Sequence, residues 1–221
     1  MTEAFIAACG LLGVMLGGCV PALARWAALP DEVTASGWIT GPACGALFGL
    51  LAWRVGPDPV LATYCYLAVV GVALVVIDLA VHRLPDRLTL GSYPVVGLLL
   101  LAASALDGDW LALLRAVIGA VTLYGVYYLL AVAASGGMGF GDVKLAGVLG
   151  AVLAWAGWAP LVAGAFLGFV YGGVVSLALL LTRRASRGTR IPFGPFMVAG
   201  SLTALVVGEA AAAGYLNLAL A

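Results

Sequence analysis

The sequence predicts an all-α integral-membrane protein: a polytopic bundle of about eight transmembrane helices with both termini outside, forming a single domain over residues 1–221. Three observations lead there. Apolar residues make up 64% and charged residues only 9% of the chain, with a mean hydropathy of +1.16, whereas a soluble chain carries about 25% charge. Apolar segments of the length that crosses ~30 Å of hydrocarbon recur eight times. Finally, 31 of the 221 residues are glycine, and small residues let membrane helices pack closely where no hydrophobic effect drives them together. The ten basic and ten acidic residues cancel, so there is no basic surplus to displace counterions from phosphates and no nucleic-acid partner is expected.

Taken in order, the segments are placed at 4–24, 38–53, 60–81, 88–106, 111–134, 143–157, 158–181 and 196–218. The first resembles a signal peptide at Ala22-Leu23-Ala24 and a lipid-attachment box at Leu16-Gly17-Gly18-Cys19, but both need a basic leader and only Glu3 is charged there, so it is read as a retained span. Gly13 and Gly17 in the first segment, Gly41, Gly45 and Gly49 in the second, and Gly164, Gly168 and Gly172 in the seventh recur every fourth residue. That period puts them on one helix face and predicts close helix packing. The sixth and seventh segments are separated only by the tight break Trp155-Ala156-Gly157-Trp158-Ala159-Pro160. Cys9, Cys19, Cys44 and Cys65 match no metal spacing and read as small buried apolar side chains.

With eight spans, Arg25, Arg83, Arg87, Lys144, Arg183, Arg184, Arg187 and Arg190 fall on one side, and only Arg54 and Arg115 on the other. The positive-inside rule then makes the first side cytoplasmic and leaves Glu3, Asp58, Asp107 and Asp109 outside. Trp26, Trp38, Trp53, Trp110, Trp155 and Trp158 stand at or near segment ends, where amphipathic rings prefer the interface.

An ionisable residue inside a span costs about 2.5–3.5 kcal/mol to insert, so each one marks a functional candidate. Asp78, near the cytoplasmic end of the third segment, and Asp142, opening the sixth, are placed at similar depth on the same side. Glu209, in the eighth, lies nearer the outer face and reads as polar glue between helices or an outward-tipping residue. Gly136, Gly137, Gly139 and Gly141 precede Asp142. They permit backbone turns and close approach of an extended peptide, and they leave N–H groups exposed at a helix start. Walker-type spacing is absent, which argues against a phosphate loop. Lys144, the only lysine, should favour the ionised form of Asp142, and the helix N-terminus acts the same way. Asp78, more deeply desolvated, should keep its proton. Two carboxyls in one site share one proton, as in aspartic proteases, and they titrate as a pair.

Three blocks resemble the type IV prepilin peptidases, aspartic membrane proteases of the GxGD class. They are Asp78 with Pro85-Asp86 and Leu88-Thr89, then Gly137-Met138-Gly139-Phe140-Gly141-Asp142-Val143-Lys144-Leu145, then Ile191-Pro192-Phe193-Gly194-Pro195-Phe196. The resemblance implies that Asp78 and Asp142 are the catalytic pair, that Lys144, Gly139 and Gly141 surround the site, and that Pro85 and Asp86 belong to it. Pro85 and Asp86 also read as helix-stop chemistry. The implied activity is endoproteolysis of pilin-like precursors with a short basic leader, at the cytoplasmic face of a prokaryotic inner membrane, without a covalent intermediate. Asp31, Glu32 and Asp86 share the cytoplasmic side and read mainly as solvated loop charges. Full-length family members carry a cytosolic insert with paired Cys-x-x-Cys zinc ligands, tied to methylation of the new N-terminus. This chain has only residues 25–37 in that place, which argues against methyl transfer and leaves no cofactor or metal expected. The rival readings are a proton-coupled transporter using Asp78, Asp142 and Glu209 as a relay, and a structural membrane subunit.

Overall fold

A computed structural model describes residues 2–27, 36–133, 138–183 and 191–219, the last with side chains to residue 207. Among the described residues there are ten helices and no strand: α1 (Thr2–Gly18), α2 (Val20–Ala27), α3 (Gly37–Val55), α4 (Leu61–Val81), α5 (Asp86–Thr89), α6 (Ser92–Asp107), α7 (Trp110–Ala133), α8 (Phe140–Ala156), α9 (Trp158–Leu181) and α10 (Gly194–Ala219). All eight expected segments are helical, but two are broken. The first bends by 41° between α1 and α2. Pro21 has no N–H to give the carbonyl of Gly17 four residues back, and that carbonyl instead accepts a 2.7 Å bond from the Thr40 hydroxyl. The fourth begins with the single turn of α5, set off from α6 at Leu90 and Gly91.

Four helical stretches are long and apolar enough to cross a membrane: α4, α5 with α6, α7 and α9; the bent α1–α2 pair makes a fifth. The protein is therefore all-helical with four or five candidate spans, fewer than the eight expected. Of the helices outside that set, α8 has 17 residues and extends only about 25 Å. Neighbouring helices enclose most of it, since 12 of those 17 residues are buried, the pattern of a helix surrounded by other helices. Its last carbonyls, on Ala154 and Trp155, accept bonds from the Arg115 guanidinium of α7, which satisfies groups that a helix end otherwise leaves bare.

Three antiparallel pairs, α1–α3, α7–α8 and α9–α10, make the most extensive contacts, and glycine sets each of them. A methyl at Gly13 would sit 2.6 Å from the Cys44 carbonyl, one at Gly119 would sit 2.6 Å from the Gly150 carbonyl, and one at Gly200 would sit 2.9 Å from the Gly164 carbonyl. Gly17, Gly41, Gly45, Gly164, Gly168 and Gly172 also face a neighbouring helix at contact distance, as their four-residue spacing predicted. Gly157, with φ at 150°, makes the expected break between α8 and α9.

Two expectations about burial are corrected. Trp155 is buried at the end of α8 while the other five tryptophans are not, because the Arg115 contact draws that end into the bundle. Cys44 is buried, but Cys19 is exposed and Cys9 and Cys65 are only partly covered. Ser135 to Gly137, Asp31, Glu32, Arg184, Arg187 and Arg190 lie outside the described residues, as does the side chain of Glu209.

Candidate active site

α4 ends abruptly at Val81, three residues after Asp78. His82 adopts a left-handed conformation (φ 53°, ψ 37°) and its N–H closes on the Asp78 carbonyl at 2.9 Å. The chain then runs extended through Leu84 to Pro85, which stands at the start of α5; its carbonyl accepts bonds from the Leu88 and Thr89 N–H groups and from the Thr89 hydroxyl. Pro85 and Asp86 therefore begin a helix rather than stop one, and the stop falls at His82. In this way the carboxyl of Asp78 is brought to the end of its helix with a short crossing segment beside it.

Asp142 occupies the first turn of α8. Its Oδ2 accepts the Gly139 N–H at 3.2 Å, while its own N–H donates to the Gly139 carbonyl at 3.1 Å. The carboxylate thus supplies the third-position half of a capping box, the N-cap glycine having no side chain for the other half, and the second bond is a backbone turn. No positive φ occurs at Gly139 or Gly141, so their absence of side chain serves space, not an unusual turn. A methyl on Gly141 would lie 2.8 Å from Leu84 Cβ.

The third block closes the site from α10. The Gly194 N–H donates to Asp78 Oδ2 at 3.0 Å in a buried bond, and a methyl on Gly194 would stand 2.7 Å from that oxygen and 3.2 Å from Leu84 Cδ2. Leu84 is thus gripped between Gly141 of α8 and Gly194 of α10, which draws the two aspartate-bearing segments together. Pro195, next in α10, has no N–H, as suits a helix's first turn. Sequence reasoning quoted Gly194 without giving it a role and overlooked Leu84. The usable signal was the Gly-Pro pair at a helix start, which leaves an N–H aimed at whatever lies ahead of it.

Asp78 and Asp142 are 4% and 8% exposed. Both line one cavity of about 200 Å³, with His82, Arg83, Leu84, Gly139, Phe140 and Gly141. The volume is room for a few water molecules at ~30 Å³ each. Lys144 does not join the pair. Its Nζ donates to Asp86 Oδ1 at 2.6 Å, at the exposed rim, so the charge asymmetry expected from Lys144 beside Asp142 is not built that way. The two carboxyls instead hold matching backbone donors, one N–H each.

Larger cavities lie elsewhere among the described residues. One of about 770 Å³ is apolar, walled by α1, α3, α4 and α6. Another, about 330 Å³, holds Arg54, Asp58, Asp109 and Arg115. Its carboxylates are engaged in capping, Asp58 accepting the Val60 N–H and Asp109 the Ala112 N–H, both at 2.9 Å. It sits where α3 and α8 end, and the cavity with Asp78 and Asp142 sits where α4 ends and α8 begins, so the bundle carries separate polar groups at its two ends. No group of three or more His, Cys, Asp or Glu residues among the described residues is arranged to hold a metal.

Among curated proteins the chain is 36% identical over 184 residues to a prepilin leader peptidase/N-methyltransferase of Stutzerimonas stutzeri, covering 80% of this chain and 60% of that protein. It is 34% identical over 183 residues to the protein of the same description from Pseudomonas aeruginosa, with the same coverage, and 32% over 157 residues to that of Bacillus subtilis, covering 69% of this chain and 60% of the relative. The chain thus spans about three fifths of the length of these relatives. No solved structure matches it significantly. The sequence model of the Type IV leader peptidase family matches residues 65–179, more than half the chain and the stretch containing both buried aspartates, and the chain belongs to that family.

Proposed function

We propose that the protein is an aspartic endopeptidase of the membrane that removes the leader from pilin-like precursors, with Asp78 and Asp142 as its catalytic pair. One observation carries the reading: two nearly buried carboxyls line one small cavity, each oriented by a backbone N–H. Carboxyls this desolvated are costly, and those bonds engage one oxygen of each beside a space of water-holding size.

In the proposed chemistry, one carboxylate of the pair is ionised and takes a proton from a water molecule as its oxygen attacks the scissile carbonyl carbon. The other carboxyl, protonated, donates a hydrogen bond to the carbonyl oxygen. The tetrahedral oxyanion so formed, with both carboxyls now protonated, collapses by breaking the C–N bond, and the departing nitrogen takes one of those two protons, leaving an acid, an amine and a carboxyl pair with its original single proton. The proton belongs to the pair. With Lys144 engaged by Asp86, the reading of Asp142 as the resident anion rests on its place in the first turn of α8 and on the deeper burial of Asp78.

The membrane arrangement belongs to the same proposal. The eight helical rods are taken as eight passes in a prokaryotic inner membrane with both termini outside, and the basic residues place the aspartates at the cytoplasmic edge, where a short basic leader would lie beside them. The relatives' printed description includes an N-methyltransferase. Without paired Cys-x-x-Cys residues in the chain, methylation is not part of the proposal.

The test uses the protein reconstituted in lipid vesicles with a synthetic precursor having a basic leader and an apolar helix. Cleavage is expected, with mass spectrometry of the new N-terminus giving the cut position and an unmethylated amine. Undiminished cleavage by Asp78→Asn or Asp142→Asn would sink the pair as catalysts.

A further inference from the structure

α4 and α8, which carry Asp78 and Asp142, make no extended contact with each other; α6 and α10 each pack against both. α10 reaches Asp78 through Gly194. α6 reaches both helices through two consecutive residues. On one side, Ser92 Oγ lies 3.1 Å from the Tyr66 hydroxyl of α4. Ser92 donates its only hydroxyl proton to the Leu88 carbonyl at 2.6 Å, so Tyr66 is the donor to Ser92. On the other side, the Tyr93 hydroxyl donates to the carbonyl oxygen of Lys144 on α8 at 2.8 Å. A methyl on Gly147 would overlap that hydroxyl, so glycine at the next turn of α8 makes the room the bond needs.

We infer that Ser92 and Tyr93 form a positioning brace that sets the spacing of α4 and α8, and with it the distance across which the two carboxyls share a water molecule. The inference rests on the proteolytic reading above. The α8 end of the brace holds the backbone carbonyl of Lys144, two residues beyond Asp142, and the α4 end holds the side chain of Tyr66, about 18 Å along the same helix from Asp78. Where little water competes, such bonds hold direction well. Their importance here is geometric, since a displacement of about 1 Å at a reacting group costs on the order of a hundred-fold in rate.

The experiment measures kcat and KM for precursor cleavage in vesicles by Tyr93→Phe, Tyr66→Phe, their combination and Gly147→Ala, beside wild type and Asp142→Asn. Removal of either hydroxyl is expected to lower kcat about ten-fold with KM within about two-fold. The double variant should fall no further than the weaker single, because both break one spacing. Gly147→Ala, which displaces the hydroxyl by collision, should reproduce the Tyr93→Phe loss in a chain that keeps the phenol. Unchanged kcat in Tyr93→Phe with Asp142→Asn inactive would overturn the brace and leave the proteolytic reading standing. Losses that multiply, or that appear in KM alone, would also overturn it. Full turnover by Asp142→Asn would overturn both.

Discussion

Asp142 and Asp78 each accept one backbone N–H from a glycine, but the two glycines stand in opposite relation to the chain. Gly139 is three residues from Asp142 and opens the same helix, so its bond forms whenever α8 forms. Gly194 is 116 residues from Asp78, on the last helix, and reaches it only after α10 has packed against α4. One half of the site is local chemistry and the other is an assembly product. The difference teaches where the site should be robust and where a small change far along the chain should disable it.

The comparison breaks most decisively at the carboxyls themselves. Asp78→Asn and Asp142→Asn should each lower single-turnover cleavage on the order of 10³-fold with folding intact, since the amide keeps the shape while losing proton transfer. A surviving rate in one alone would reduce the pair to a single working acid. Next come the glycines. Gly194→Ala puts a methyl 2.7 Å from Asp78 Oδ2, with Leu84 close on another side, and should cost about a hundred-fold in kcat through misplacement. Gly139→Ala places a methyl 3.3 Å from Asp142 Oδ2 at φ −73°, a conformation any residue adopts, and should cost less than about ten-fold by the same principle. Equal losses in the two would erase the contrast between local and assembled halves.

Gly141→Ala tests the link between the halves. Its methyl would press on Leu84 Cβ at 2.8 Å, and cleavage should fall about ten-fold, between the two other glycine variants. The smallest effect is expected at the rim. Lys144→Met and Asp86→Asn break an ion pair whose acid is 61% exposed, worth about 0.2–1 kcal/mol of stability. Each should change cleavage less than about five-fold by that reckoning, without adding in the double variant. A large loss confined to Lys144→Met would place the ammonium's work with Asp142 after all.

The legible parts of this molecule share a property: their signal is contained in one segment. Asp78 and Asp142 stood out because a carboxylate inside an apolar helix is conspicuous wherever the helix packs. The Gly13, Gly41 and Gly164 series could be read because the helical period alone puts them on one face. The misread parts all depended on a partner elsewhere. Lys144 lies two residues from Asp142, yet its four-carbon stem carries the ammonium to Asp86 on α5. Trp155 has the composition of an interface residue, but Arg115 on α7 draws its end of α8 inward. The kink at Cys19 had its cause in Pro21, visible in the sequence, while its repair by Thr40 was not.

By itself the sequence determined that the chain is helical and apolar, where its helices lie within a few residues, and that two acids stand at helix ends. Those outcomes follow from hydropathy, period and the backbone's need to bond itself in an apolar setting. Only the tertiary structure decided that the acids share a cavity, that Leu84 is held between two glycines, and that Gly194 supplies the donor for Asp78. Such pairings come from side chains and N–H groups meeting across separate helices, and linear spacing carries no information about which helix face will meet which.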